Sequence, residues 1–547
     1  MPLYTHLPTS IDAVDVIIAG GGTTGCVVAA RLAEADPNLS ILVIESGPDN
    51  YGNPMVLHPA LFITHWAPGS NTMKLFKGPK SEALANREPI VPVGRGLGGG
   101  SSVNLLMYSR AQRSDLDAWK MPGWSANELL PYMRKLETFH GDGSKALHGY
   151  DGPIHVSSGT YRSLRVENAF IEAAARVGWK EFKDLGDLDS VGGVQRALRY
   201  VSPDGKRQDT AHQYLHPKLR DGGYPNLHVV VNSEVDRVVF EGQRTSGIAY
   251  QEANGPSRTV KAKRMVIVSC GACGTPPLLE RSGIGNPKIL EKAGIKPISD
   301  LPGVGDGYED HQVISAAYKS NLSRDETLDG IVNGNFDIPA MIQNNDKLLG
   351  WNCMDVTCKF RPNDDEAATL GDDFLQVWNR DYKPHPDKPL SISALIARNP
   401  VGIPVGPGLS DELDFDPGIY GDAADIDIKV SRWGYKNQRE IARRMDIYRG
   451  EEPSCHPPFS TEDDLVIDQW LRENVATTWH SLGTCKMAPR EKNGVVDETL
   501  SVYGVTGLKI ADLSITPSNV GAHTNNTALT IGEKAASIFI KELGLAQ

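Results

Sequence analysis

Near the N-terminus, Val14-Asp15-Val16-Ile17-Ile18-Ala19 runs straight into Gly20-Gly21-Gly22-Thr23-Thr24-Gly25, a junction that leaves the fold little choice. The β-branched run reads as a buried strand, and Gly20, Gly22 and Gly25 spell G-x-G-x-x-G at its end. The next residues, Cys26 to Glu34, carry small and helix-forming side chains. Ile41-Leu42-Val43-Ile44 reads as a second buried strand ending in Glu45, about twenty residues past the last glycine, where a ribose-binding carboxylate is expected. The glycines allow a tight turn, close approach to a pyrophosphate and close helix–strand packing, with the helix N-terminus facing the anion. An ordinary glycine-rich turn would not bring strand, helix, second strand and acid in this order. The chain reads as a dinucleotide binder.

A chain of 547 residues is long enough for two domains or a composite of them. Its net charge of −12 argues against nucleic acid and anionic membrane surfaces as partners. No apolar run reaches bilayer length, and Met1-Pro2-Leu3-Tyr4-Thr5-His6 lacks a basic-then-apolar leader. The tail Gly544-Leu545-Ala546-Gln547 spells no peroxisomal or retention address, so an intracellular location, cytoplasmic or peroxisomal, is the expectation. The seven cysteines are scattered and odd in number, which is no disulfide framework. Cys270-Gly-Ala-Cys273 closes an apolar strand without a second C-x-x-C, so buried thiols are expected and no metal site. Neither H-E-x-x-H nor G-x-S-x-G occurs.

Farther along, the Gly-, Pro- and Asn-rich stretch from Glu45 to about Ser70 reads as loop. The run Gly94 to Asn104 is too rich in glycine for regular structure; between apolar flanks it reads as a second loop offering bare amides to an extended ligand. Leu129 to Thr138 predicts an amphipathic helix, with Trp119 and Trp124 as core. Asn226 to Val235 and Arg264 to Ser269 predict further strands of the first sheet, ahead of Asp300-Leu301-Pro302-Gly303-Val304-Gly305 and Asp310-His311. From about Val313 to Val466 Asp and Pro rise and no dinucleotide pattern recurs. The expected division is a discontinuous cofactor domain (1–154, 223–312 and 467–547) and a substrate domain (155–222 and 313–466).

Two of the 14 histidines sit in polar, turn-like sequence near the C-terminus: His480 in Thr477-Thr478-Trp479-His480-Ser481, and His523 in Gly521-Ala522-His523-Thr524-Asn525. A helix is expected after the second, from about Ala528 to Leu543. The residues alone leave open whether either histidine is structural or catalytic.

These motifs together resemble the glucose–methanol–choline oxidoreductases, flavoproteins that oxidise alcohols, from about Asp15 to Leu543. The run Gly94 to Asn104 with Tyr108 and Ala111, and the segment Gly271 to Gly285, match the family's two signature patterns. Trp479 to Cys485 and Ala528 to Ala536 are most similar to the fungal alcohol (methanol-type) oxidases. The resemblance implies an α/β composite, a Rossmann-like FAD-binding domain with a substrate domain built on an antiparallel sheet and helices. It implies FAD, with Gly20, Gly22, Thr23, Thr24 and Gly25 at the pyrophosphate and Glu45 at the ribose. Gly99, Ser101, Asn104 and Met107 would lie along the flavin side, Val235 at the adenine, Asp512 near the ribityl–pyrophosphate, and Thr524 beside the cofactor. Some relatives attach FAD through a histidine just before the asparagine of the second motif; Val103 stands there, so non-covalent FAD is expected. His480 matches the catalytic base and His523 the second active-site position. The implied reaction takes a primary alcohol to the aldehyde by hydride transfer to flavin N5, with O2 reduced to H2O2. A dehydrogenase using a quinone or other acceptor, and a hydroxynitrile lyase, are the alternatives. Methanol-type oxidases usually carry asparagine where His523 stands, which argues against methanol. Trp479 either narrows the pocket or packs in the core. The alcohol and any homo-oligomer are left open.

Overall fold

The computed structural model describes residues 2–67, 69–253, 255–397, 413, 415–457 and 461–545. Ala546 and Gln547 of the tail, and 398–412 within the expected substrate region, lie outside the described residues.

The opening strand Ala13–Ala19 sits in the middle of an eight-stranded sheet. On one side it pairs in parallel with Ile41–Ile44, then Leu227–Val230, then Leu3–Tyr4. Its other neighbour is Ser257–Val268, also parallel, which continues antiparallel into Arg244–Glu252 and Ser233–Glu241. The C-terminal end of Ser257–Val268 also takes Leu508–Ile510 in parallel. Ile41–Ile44 and Val16 to Ala19 are buried throughout, as strands covered on both faces must be. The first helix, Thr23–Ala35, lies against the last, Asn525–Glu542. Gly532 sits so close to it that a Cβ there would stand 2.9 Å from the Val27 Cβ. Arg31 bonds the fully buried Glu533 at 2.7 Å across the same contact. The chain's two ends are thereby locked together.

A smaller three-stranded antiparallel sheet, Gly193–Arg196, Val356–Phe360 and Ser391–Ala394, forms the second centre. Val356, Cys358, Phe360 and Trp351 are buried there with Phe170 and Ala173 of the helix Leu164–Arg176. Tyr200 and Tyr214, later in the same stretch of chain, pack instead with Val27 and Leu529 of the first and last helices. The architecture is the mixed α/β composite read from the sequence.

Several local expectations shift. The helix expected over Leu129–Thr138 is Ala126–Lys135: Ser125 and Glu128 form a capping box that starts it early. Glu137 leaves the helix because its buried carboxylate takes Arg110 at 2.6 Å and His148 at 2.8 Å, and Glu137–Phe139 becomes a strand. The single strand expected over Asn226–Val235 breaks at Asn232, whose φ of 53° turns the chain from one side of the sheet to the other. The stretch read as loop after Glu45 holds two short helical segments, Pro54–Leu57 and Pro59–Trp66; their prolines occupy the first helical position, where no N–H is needed. The second glycine run contains one helical turn, Gly100–Val103, and the last helix begins at Asn525, three residues early. Trp119 and Trp124 are buried as expected.

Candidate functional site

A cavity of about 1890 Å³ runs from the first glycine turn to the two C-terminal histidines. An ordinary small-molecule pocket holds ~300–1,000 Å³, so this one has room for a dinucleotide and a substrate together. At its anchoring end the glycines divide into two kinds. A Cβ on Gly20 would lie 2.3 Å from the Ser269 carbonyl, and one on Gly25 would lie 2.1 Å from the Gly20 carbonyl. These two are required by packing. A Cβ on Gly22 would meet only the Ser269 carbonyl at 3.8 Å and would otherwise project into free space, so its smoothness serves a ligand. Gly22 is also the N-cap of the first helix, which has no side-chain cap and no acid in its first turn. Uncapped amides at a helix start are a ready anion site.

Glu45 knits this end together. Its Oε1 accepts from the amides of Gly47 (2.7 Å) and Gly96 (3.1 Å), and its Oε2 from Gly21 (2.9 Å). Oε2 keeps a lone pair for a further donor such as a ribose hydroxyl. Asp512, its carboxyl raised by burial, accepts from the amides of Gly271 (3.0 Å) and Ser514 (2.8 Å) and from Thr275 Oγ1 (2.6 Å). It thus joins the helix Gly271–Arg281 to the turn after Leu508–Ile510.

Of the residues expected around a cofactor, Gly20, Gly22, Thr23, Thr24, Glu45, Gly99, Asn104, Met107, Val235, Asp512 and Thr524 line the cavity. Gly25 and Ser101 do not: Gly25 is packed under Gly20, and the Ser101 hydroxyl donates to the Gly98 carbonyl at 2.6 Å while accepting the Thr210 amide at 3.1 Å. Both shape the turn from behind. Arg207, which sequence reading passed over, is buried and donates to the Ser101 and Asn104 carbonyls and to Asn104 Oδ1. Its only advance signal was a Lys206-Arg207 pair in a polar stretch. The donor set fits a dinucleotide.

At the far end His480 and His523 face each other edge to face, ring centres 5.3 Å apart. His480 stands on a strained support: Trp479 before it has φ of 63°, a left-handed conformation costly for so bulky a residue. The strain is held by pairing. The His480 amide donates to Asp310 Oδ1 (2.9 Å), the Thr478 amide to the His311 carbonyl (2.8 Å), and Glu309 exchanges both backbone bonds with Leu482. The Trp479 indole packs on Trp66 at 4.7 Å, and both border the cavity. The His523 amide donates to Ser109 Oγ (2.8 Å), and its Nε2 is buried with no partner among the described residues.

Burial pushes His480 well below the ordinary imidazole range, with His311 and His523 adding to it, and takes His523 down to about 4. Both rings are therefore neutral near pH 7 and able to accept a proton or a hydrogen bond. Burial raises Asp310 to about 6 although it accepts the amides of His480 and His311 and the Tyr308 hydroxyl. His311 was also missed as a site residue. Its ring meets that of His480, and only the adjacency Asp310-His311 after a glycine-rich turn pointed to it. Cys273 is buried, Cys270 half-buried, and both are free thiols bordering the cavity.

Two family profiles described as GMC oxidoreductase match residues 14–313 and 409–532. The alcohol oxidase of Candida boidinii is 36% identical over 641 aligned positions, covering 97% of this chain and 96% of that protein. An oxygen-dependent choline dehydrogenase of Chromohalobacter salexigens is 30% identical, with 96% and 95% covered. A formate oxidase of Aspergillus oryzae superposes with a TM-score of 0.83 at 22% identity, covering 97% of this chain and 98% of that one.

Proposed function

This chain belongs to the GMC oxidoreductase family, and on that premise we propose that it is an FAD-dependent oxidase that converts a primary alcohol to its aldehyde, with O2 as acceptor and H2O2 as product. The observation that supports this reading best is the shared cavity: two neutral histidines face each other at one end and an uncapped helix start lies at the other.

The amides of the first helix start, with Gly20, Gly22, Thr23 and Thr24, would hold the pyrophosphate, and Glu45 Oε2 a ribose hydroxyl. Val235 would meet the adenine, Gly99, Asn104 and Met107 the flavin side, and Asp512 and Thr524 the segment between. Gly25 and Ser101 act by keeping the two glycine turns in shape. The attachment is dissociable, because Val103 offers no nucleophile. When bound, FAD supplies the oxidant, a ring that takes up a hydride from the carbinol carbon and passes the electron pair on.

The protein's own task is the proton. An alcohol O–H does not ionise near pH 7, so hydride loss is easy only if a base removes that proton as the carbonyl forms. We assign this to His480, whose neutral ring lines the cavity. His523, whose buried Nε2 has no partner among the described residues, would hold the same oxygen and orient it. We take the residues of 1–154, 223–312 and 467–547 as the cofactor side and 155–222 with 313–466 as the substrate side. The apolar wall of Trp66, Trp479, Phe62 and Phe170 suits an alcohol larger than methanol.

A peroxide-coupled screen across alcohols of graded size tests the reading. Stoichiometric H2O2 and aldehyde under air are expected, with larger apolar alcohols ahead of methanol. Flavin bleaching without peroxide would make the enzyme a dehydrogenase. No bleaching by any alcohol without oxygen would remove the redox assignment.

A further inference from the structure

We propose that His311 is a positioning residue that fixes which nitrogen of His480 carries the proton, and so presents a bare Nε2 to the alcohol. The proposal rests on the reading of His480 as the base.

The partners decide the assignment. His311 Nε2 lies 2.9 Å from the Val520 carbonyl oxygen, which can only accept, so Nε2 carries a hydrogen and donates it. His311 is neutral, since burial takes it down to about 4, and a neutral imidazole with hydrogen on Nε2 has a bare Nδ1. That Nδ1 stands 3.0 Å from His480 Nδ1, with the rings perpendicular (88°) and their centres 5.1 Å apart. A nitrogen separation of 3.0 Å within 5.1 Å leaves both nitrogens close to the line joining the rings, as a linear hydrogen bond requires. His480 must then be the donor, with its hydrogen on Nδ1 and its lone pair on Nε2. The reverse tautomer would set two lone pairs against each other at Nδ1 and put an N–H where the substrate proton has to arrive.

The chain Val520 carbonyl, His311, His480 thus runs in one direction and ends in an acceptor on the cavity wall. When the alcohol O–H bond breaks, its proton goes to His480 Nε2 and the bonding pair stays on oxygen. The imidazolium so formed still donates through Nδ1 to His311, now as a charge-assisted bond. A protonated His311 would lower His480 further, but at the pH of the reaction its ring is neutral and accepts from Nδ1, so it strengthens the base as well as orienting it. The other titratable groups packed around the pair are Asp310, Tyr308, His523 and Glu309, the last held by Lys486 at 2.8 Å. Asp310 grips the amides of both histidines, and among the described residues none of these groups hydrogen-bonds either ring.

Asn and Leu have nearly the same shape, and only Asn offers an acceptor near the Nδ1 position of His311. The test compares His311→Asn and His311→Leu, each loaded with FAD, by stopped-flow reduction of the flavin by an alcohol that reduces the wild type, from pH 5 to 9. The expectation is a limiting rate about 30-fold or more lower for Leu, with its acid limb moved to lower pH. Alcohol affinity should be little changed, and Asn should recover to within a few-fold of wild type with its limb in place. Equal rates and equal limbs in both variants would overturn the proposal. Should the Leu variant not take up FAD, the Asn variant decides alone: a rate more than tenfold down, or a shifted limb, contradicts it. A wild type that no alcohol bleaches would mark failure of the oxidase reading itself, a separate result.

Discussion

At the anchoring end the buried carboxylates are bound by the protein's own donors, whereas at the histidine end a buried ring nitrogen is left without a partner among the described residues. Glu45 accepts three backbone amides and Asp512 accepts two amides and a hydroxyl, so each carboxylate is a fixed joint between loops. At the other end a left-handed Trp479 carries His480, and His523 Nε2 is buried without a partner among the described residues. Such features cost stability and persist where the surroundings over-determine them and the chemistry needs them. The first region holds a ligand in place; the second is pre-set for a reaction.

That contrast can be broken first at the glycines. Gly25→Ala puts a methyl 2.1 Å from the Gly20 carbonyl and should abolish yellow holoenzyme, read as absorbance at 450 nm after reconstitution with FAD. Gly22→Ala, with its nearest neighbour at 3.8 Å, should fold with an ordinary melting temperature and bind FAD weakly. Equal behaviour of the two would show that the division of glycines into packing and ligand roles is wrong.

The next largest effect belongs to the other end. His523→Ala should lower the limiting rate of flavin reduction about 100-fold while FAD content and melting temperature stay near wild type. A large fall in melting temperature would mean that His523 is a core residue.

Glu45→Gln sharpens the comparison from the anchoring side. The amide NH2 must face one of the backbone N–H groups now bound, a loss of ~1–3 kcal/mol that should raise the FAD dissociation constant about tenfold. Alcohol oxidation by the loaded variant should be unchanged. A variant with normal FAD affinity and altered turnover would reverse the assignment.

The smallest effect is a position on the pH axis. His480 must be neutral to act, and burial lowers its pKa, so flavin reduction should be constant down through pH 6.5 and fall only below it. A limb centred at or above 6.5 would mean that the ring is not buried as the geometry has it.

The two regions were also unequally legible. Gly20 to Glu45 follows from backbone requirements confined to one strand–turn–helix–strand unit, and contiguous sequence carries that unit. The pair His480 and His523 was visible as two polar turns and took its meaning from family resemblance. His311 and Asp310 escaped because their roles depend on pairing with Thr478 to Leu482, some 170 residues later, through bonds no local pattern encodes. Glu137 left its predicted helix for a related reason: its partners Arg110 and His148 lie outside the helical stretch and decide its place.

The most direct measurement is anaerobic stopped-flow reduction of FAD-loaded His480→Ala by an alcohol that bleaches the wild type. An unchanged oxidised flavin spectrum and a limiting rate at least ~100-fold lower are expected. Bleaching at the wild-type rate would contradict the assignment of His480 as the base.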